Sequence, residues 1–327
     1  MYDADQKSLL EIQSVRANST ILITTVFPGS EIFHSGFRKS IEIQKSSFDI
    51  LVLNDGMNGD PLTFDGRATT TLNPKNLTVP EIRWHGLVWA RHNNYANVVF
   101  ADIDDTFSTQ KISLFDLALS RGVDFVWGDL DLTTLGKKKM PITDVIRGLN
   151  FPETLGGGIG PLVSRNFLGL TNTALRVSSM PTTTPPKNLP AFDWWLFTQM
   201  ILEGRKGHFV EGANTLYFQG ETLFFGPHSC SQSHEILLKG IKKAIGVKKA
   251  HYKNFVQYCD QIQNVNDGAL FRLALQGIVE LESRLNQIDS KPEEFVAKIT
   301  KNWNKISPGW WAWAISPAEL NNLCLNL

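Results

Sequence analysis

The chain has 327 residues, of which 42% are hydrophobic and 20% are charged, as in an ordinary globular protein and not a disordered one. Basic and acidic residues number 32 each, so no overall positive field draws the protein to nucleic acid, and no nucleic-acid partner is expected. Three cysteines without C-x-x-C spacing argue against a disulfide framework and a structural zinc site.

A parallel strand–helix–strand unit is predicted over residues 20–56. The apolar run 20–27 ends in Pro28-Gly29, and Ser30 can cap a helix whose apolar residues recur at four-residue spacing. A second buried strand follows at 48–56. Residues 57–80 contain three prolines and no sustained periodicity, so they are predicted to form a long loop.

Strand and helix signals continue to residue 218. Strands are predicted at 97–104 and 123–132 around a helix at 112–122, and residues 156–160 and 178–190 read as loops. A helix follows Asp193 and ends at Gly204. From residue 229 onward the periodicity is helical, so we divide the chain into an α/β domain, 1–228, and a helical C-terminal region, 229–327.

Residues 98–109, VVFADIDDTFST, are compatible with two unrelated chemistries. Asp102, Asp104 and Thr106 spell the D-x-D-x-T of haloacid-dehalogenase-type phosphohydrolases, and Asp102 with Asp104 spells the D-x-D of metal-dependent sugar transfer. A phosphohydrolase would use Asp102 as nucleophile and Asp104 as acid and base, but it also needs a downstream lysine and a G-D-x-x-x-D pair. The nearest candidate, Gly128-Asp129-Leu130-Asp131, has the wrong spacing.

Sugar transfer would give the same carboxylates different chemical roles. The bond that breaks leads to a diphosphate, so a hard divalent cation on carboxylate oxygens is needed to neutralise the leaving group. A separate general base must deprotonate the acceptor hydroxyl.

The order and approximate spacing of several segments resemble the landmarks of the large inverting glycosyltransferase family of the GT-A fold, often called family-2-like. The resemblance covers roughly residues 20–226. It implies an α/β GT-A nucleotide-diphospho-sugar transferase fold, which is a Rossmann-like mixed sheet flanked by helices, here followed by a helical C-terminal part. The segments that carry it are ILITTVFPG, DILVLNDG, GLVWARHN, VVFADIDD, GVDFVWGDLDL and FDWWLFTQMILEGRKGHFVEGANTLYFQGETL.

The resemblance also implies roles for residues near the nucleotide. Thr25 and Phe27 match the family's T-x-Y, with phenylalanine in place of tyrosine. Asp55 matches the aspartate that contacts the base or ribose, and Arg91 matches the arginine of A-R-N. Read from the residues alone, Asp55 could simply form a turn and Arg91 a surface ion pair.

The metal and catalytic roles follow in the same way. Asp102 matches the nucleotide-binding position of the D-x-D and Asp104 the ligand of Mn²⁺ or Mg²⁺. Asp193 matches the aspartate that serves as catalytic base, although its place also fits a helix N-cap. Phe192 replaces the family's glutamate, and Phe218 and Gly220 stand where relatives have arginine and histidine, so a non-catalytic sugar-nucleotide-binding protein stays open as an alternative.

The expected partners are a nucleotide-diphosphate sugar, with a UDP-sugar favoured, and a saccharide or lipid-linked acceptor. The polar N-terminus and the lack of an apolar run of about 18 residues predict a cytoplasmic protein. Six lysines between residues 239 and 253 and four tryptophans between 303 and 313 allow peripheral contact with the inner face of a membrane, or simply a solvated helix and a packed tail.

Overall fold

The computed structural model describes residues 19–59, 62–133, 143–148, 150–187, 189–218 and 234–288. These residues form a large mixed sheet flanked by helices, followed by long helices, so the predicted α/β class with a helical C-terminal part is confirmed. Gly220 and the tryptophans between 303 and 313 lie outside the described residues. The boundary at residue 228 stays a prediction.

The elements are numbered in chain order. The strands are β1 Thr20–Val26, β2 Asp49–Asn54, β3 Thr69–Leu72, β4 Asn97–Phe100, β5 Thr106–Phe107, β6 Phe125–Trp127, β7 Leu130–Thr133, β8 Thr154–Leu155, β9 Thr173–Arg176, β10 Gly207–Phe209 and β11 Thr215–Phe218. The helices are α1 His34–Glu42, α2 Val79–His92, α3 Lys111–Ser120, α4 Val145–Gly148, α5 Gly160–Ser164, α6 Phe192–Leu202, α7 His234–Gln261 and α8 Val265–Ile288.

The large sheet has the order β3-β2-β1-β4-β9-β6-β10-β8. Strands β3, β2, β1 and β4 are mutually parallel, β9 is antiparallel to both of its neighbours, and β10 is parallel to β6. Strands β1, β2, β4 and β6 therefore all end at one edge, where ligands of open α/β sheets bind. A second sheet has the order β5-β11-β7.

Two predictions for residues 30–80 need correction. The stretch 57–80 is not all loop, because β3 pairs in parallel with β2, with Ile50 opposite Thr69. Its residues are TTTL, and such a polar edge strand lacks the apolar signal that marks buried strands. The helix predicted to start at Ser30 instead opens with a 3-10 turn, and α1 begins at His34.

The single strand predicted over 123–132 is two strands in two sheets. The chain turns at Gly128, where an added Cβ would lie 1.8 Å from the carbonyl oxygen of Ala213, so only glycine fits this close approach. Asp129 is buried and accepts hydrogen bonds from the backbone N–H groups of Ile146 (2.7 Å) and Arg147 (3.2 Å). This carboxylate anchors the start of α4.

Helices α7 and α8 pack against each other and join the main core. Trp194 of α6 stacks on His251 of α7, with ring centroids 3.8 Å apart, and Phe255 stacks on Phe271 of α8 at 5.0 Å. Cys259 is a buried free thiol. Among the described residues, no helix combines the length and the apolar character that crossing a membrane requires.

Candidate functional site

The ends of three parallel strands bring together most of the residues that the sequence singled out. Thr25 and Phe27 lie at the end of β1, both partly exposed. Asp55 follows β2, and its backbone N–H donates to the carbonyl oxygen of Val26 at 2.8 Å. Asp102 and Asp104 follow β4. These residues therefore share the edge at which the parallel strands end.

Arg83, on α2, is the arginine that the structure brings to the aspartates. Its Nη2 lies 3.1 Å from Oδ1 of Asp102, and the two side chains are 25% and 30% exposed, so the pair is only partly screened by solvent. Burial raises the pKa of both Asp104 and Asp193, and the positive charge of Arg83 opposes that rise, so both carboxylates lie within its electrostatic reach.

Arg91 lies in the last turn of the same helix and is exposed. It follows Arg83 by eight residues, which is about 12 Å along the helix axis. A crossover helix runs antiparallel to the strands that it connects, so its first turns lie near the carboxyl ends of the strands and its last turns near the opposite edge. That rule favours Arg83 over Arg91 for a contact with Asp102, and it was available from the sequence.

Asp102, Asp104 and Asp105 form an acidic group after β4, in which Asp105 is buried and the other two are partly exposed. Burial raises the pKa of Asp104 to about 7, with the charge of Asp102 as the second cause. Burial, followed by the charges of Asp104 and Asp102, holds the pKa of Asp105 well above its ordinary value. Oδ1 of Asp105 accepts the backbone N–H of Phe218 at 2.7 Å. Its Oδ2 has no well-formed hydrogen bond within the described residues, although the nearby Thr171 hydroxyl lowers the pKa.

Asp193 lies inside the first turn of α6. The helix starts at Phe192 and its N-cap is Ala191, so Asp193 is not the N-cap residue of this helix. Its Oδ1 accepts the backbone N–H of Trp194 at 2.8 Å. Burial raises the pKa of Asp193, while Arg83, this N–H and the amide of Asn166 act against the rise.

Aromatic packing between α2 and α6 positions Arg83 and Asp193. Trp84 contacts Trp195 edge to face, with ring centroids 5.9 Å apart. Phe192, which stands where the family has a glutamate, is 2% exposed and lies 6.0 Å from Trp195. This residue therefore belongs to the core that holds the two helices together.

Sequence reasoning missed two further residues beside the acidic group. Burial raises the pKa of Tyr217 on β11, and the charges of Asp105, Asp104, Asp102 and Asp193 raise it further, so this ring lies within reach of all four carboxylates. Tyr217 stands at the first position of the motif in which Phe218 and Gly220 were compared with arginine and histidine, but the sequence analysis gave it no role. Its strand β11 belongs to the second sheet and reaches the site only through the tertiary fold.

Lys111 is fully buried at the start of α3. Its Nζ donates to Oγ1 of Thr215 at 3.0 Å and to the carbonyl oxygen of Thr171. Burial lowers its pKa to about 7, while the charges of Asp105 and Asp102 act in the opposite direction. The ammonium thus ties α3 to β11 beneath the acidic group.

The donor chemistry of this group suits a hard divalent cation. Carboxylate oxygens are the ligands that Mg²⁺ and Mn²⁺ prefer, and Asp105 Oδ2 keeps unused acceptor capacity. Within the described residues, no three His, Cys, Asp or Glu side chains converge as a complete metal cage. Mg²⁺ is commonly held by only one or two carboxylates together with substrate phosphates, and the residues fit that mode.

No protein-family model and no curated protein matches the chain. Among solved structures, it is similar to S. aureus TarS, a glycosyltransferase, with 14% identity, a TM-score of 0.44, and coverage of 86% of this chain and 51% of that one. It is also similar to a protein from Desulfovibrio desulfuricans G20 assigned as a nucleotide-diphospho-sugar transferase, with 10% identity, a TM-score of 0.35, and coverage of 59% and 80%. The chain thus spans about half the length of TarS. This likeness concerns the overall arrangement of the fold alone.

The phosphohydrolase alternative is not favoured by the side chains that it would need. Lys111 is enclosed and bonded to backbone and hydroxyl oxygens, so it does not face a phosphate. Asp129 is engaged with the N–H groups of α4. Neither residue is presented at the strand ends beside Asp102.

Proposed function

We propose that this protein is a glycosyltransferase that moves a sugar from a nucleotide-diphosphate sugar to an acceptor hydroxyl with inversion. The observation that carries the proposal is the meeting of Asp102, Asp104 and Arg83 at the strand ends with Asp193 on α6. The charges of Arg83 and Asp102 reach both Asp104 and Asp193. This reaction requires an acidic pair beside the leaving group and a separate carboxylate that takes the proton of the acceptor hydroxyl.

The donor would lie across the ends of β1, β2 and β4. Thr25 and Phe27 would meet the base, and Asp55 would accept hydrogen bonds from the base or ribose. Asp102, held by Arg83, would meet the ribose. A UDP-sugar is the donor that we expect.

A divalent cation, Mn²⁺ or Mg²⁺, would be held by Asp104 together with diphosphate oxygens of the donor. When bound, it supplies positive charge to the departing diphosphate. The chain's own part is to hold the carboxylates in place: the Phe218 N–H fixes Asp105 behind Asp104, and Arg83 balances part of the negative charge.

Asp193 would accept the proton of the acceptor hydroxyl. The hydroxyl oxygen then forms a bond to the anomeric carbon while the bond from that carbon to the diphosphate oxygen breaks, and a single in-line displacement inverts the centre. A base is most effective when its pKa lies near the working pH, and burial moves the pKa of Asp193 in that direction.

The acceptor would be a saccharide or a lipid-linked saccharide, as in polysaccharide or glycoconjugate synthesis at the cytoplasmic side of a membrane. The lysine stretch supports peripheral contact only in part. Lys248 is buried beside the Trp194 ring and Lys249 pairs with Glu282, while Lys242 and Lys253 are exposed.

The test is a thermal-shift panel of UDP, GDP, CMP and dTDP, each with and without Mn²⁺. A nucleotide at a hundred times its dissociation constant should add about 2.7 kcal/mol of stability, and Asp104→Ala should lose the metal-dependent part. Asp193→Asn should keep the shift and lose sugar transfer. Full transfer activity in Asp193→Asn contradicts the base assignment, and a shift without turnover in the native protein favours the non-catalytic alternative.

A further inference from the structure

A cavity of about 240 Å³ lies between the loop that precedes α6, one face of α6 and the side of α7. None of the described residues that line it carries a charge, and most of them are amides, hydroxyls or aromatic rings. The lining includes Thr183, Trp195, Gln199, Asn254, Gln257 and Tyr258.

Gln199 is 1% exposed and supplies a buried amide to the wall of the cavity. Its Nε2 donates to Oγ1 of Thr183 at 3.4 Å and to Oε1 of Glu203 at 3.0 Å. Its Oε1 has no hydrogen-bond partner within the described residues. Buried amide oxygens are normally satisfied, so this wall keeps unused acceptor capacity.

The α7 side of the cavity offers an aromatic ring beside neutral amides. Tyr258 is partly exposed and packs edge to face against Phe255, with centroids 6.4 Å apart, which fixes its ring. Gln257 is exposed and Asn254 is partly exposed. A ring with a polar tip next to uncharged donors and acceptors suits a ligand that has apolar C–H faces and many hydroxyls.

The composition also argues against other ligand classes. A phosphate or carboxylate ligand calls for Arg or Lys, and a cation calls for Asp or Glu, but no lining residue has such a side chain. A wholly apolar ligand would leave the amides without partners, which is unfavourable.

The cavity is separate from the proposed reaction centre. Trp195 follows Asp193 by two residues, a rotation of about 200° around α6, so the two side chains leave the helix on opposite sides. One helix diameter, about 10 Å, therefore separates the cavity from the candidate base.

We propose that this cavity binds a neutral saccharide unit of the acceptor, at a second point away from the reacting hydroxyl. This inference rests on the proposed function for the identity of the ligand as acceptor. A chain held at a second point raises the local concentration of its reacting end near Asp193.

The experiment applies the labelled full chain to an array of neutral and anionic oligosaccharides. The native protein should retain neutral oligosaccharides, and Tyr258→Ala or Gln257→Ala should lower that signal at least tenfold. Gln276→Ala, which removes an exposed glutamine on α8 outside the cavity, is the matched control and should bind as the native protein does. Circular dichroism should show the same helical content in all variants.

The assignment of the cavity would be overturned if the native protein retained only anionic oligosaccharides or none at all. It would also be overturned if Tyr258→Ala retained neutral oligosaccharides as well as the native protein does. The two proposals separate cleanly in Asp104→Ala, which should lose the nucleotide-induced thermal shift and keep oligosaccharide binding. If the native protein shows no nucleotide shift but still binds neutral oligosaccharides through Tyr258, the sugar-transfer proposal fails and the saccharide site stands without its acceptor role.

Discussion

Lowering the pH should destabilise the protein through His251. This histidine is fully buried on α7, stacked on Trp194, and neither ring nitrogen has a hydrogen-bond partner within the described residues. Burial, followed by the nearby charge of Lys248, holds its pKa well below 6.5. The folded protein therefore keeps the imidazole neutral, while the unfolded chain takes up a proton below pH 6.5, and the free energy of unfolding falls as the pH falls.

The magnitude follows from the unfolded pKa of 6.5. Between pH 8 and pH 5, proton uptake by the unfolded chain alone costs about 2 kcal/mol. The buried carboxylates Asp105 and Asp193, whose pKa values are raised, act in the opposite direction, so the total pH dependence does not isolate the histidine. The difference between the native protein and His251→Phe does isolate it.

The assay is urea unfolding followed by tryptophan fluorescence at pH 5 and pH 8. The native protein should lose about 2 kcal/mol more than His251→Phe over this interval. His208→Gln, at an exposed position on β10, is the matched control and should behave as the native protein does. The same pH dependence in the native protein and in His251→Phe would refute the reasoning.

Three further predictions concern the site and its scaffold. In Arg83→Ala, loss of a positive charge that opposes the burial-induced rise in the pKa of Asp193 should move the acid limb of the transfer activity to higher pH, whereas Arg91→Ala should leave the profile in place; equal shifts in both variants would contradict the placement of Arg83. With a pKa of about 7 at Asp104, the dissociation constant for Mn²⁺ measured by titration calorimetry should weaken about tenfold from pH 8 to pH 6, and a flat profile would speak against this carboxylate as ligand. Gly128→Ala should lower the free energy of unfolding in urea by more than about 3 kcal/mol, since its Cβ would lie 1.8 Å from a carbonyl oxygen, and near-native stability would show that this turn can shift.

The sequence alone determined the α/β class and the strand ends that carry the acidic residues. Apolar runs such as 20–27 and 48–56 are favourable only when they are buried away from water, and the turn residues after them mark where the buried strands end. The strands β1, β2 and β4 and helix α6 therefore lie close to their predicted positions. Edge strand β3 was missed, because a threonine-rich edge carries no apolar pattern.

Only the tertiary structure decided which distant side chains meet the aspartates. The strand–helix–strand order gives the direction of α2, but it does not say which side chain of the helix contacts a carboxylate. Packing of the helix on the sheet brings Arg83 to Asp102 and leaves Arg91 exposed in the last turn. Likewise, pairing of β11 with β5 and β7 places Tyr217 beside the carboxylates and seats Lys111 beneath them. The contacts of β11 join residues about a hundred positions apart. They form because burial of apolar surface favours one packing of the sheets and helices.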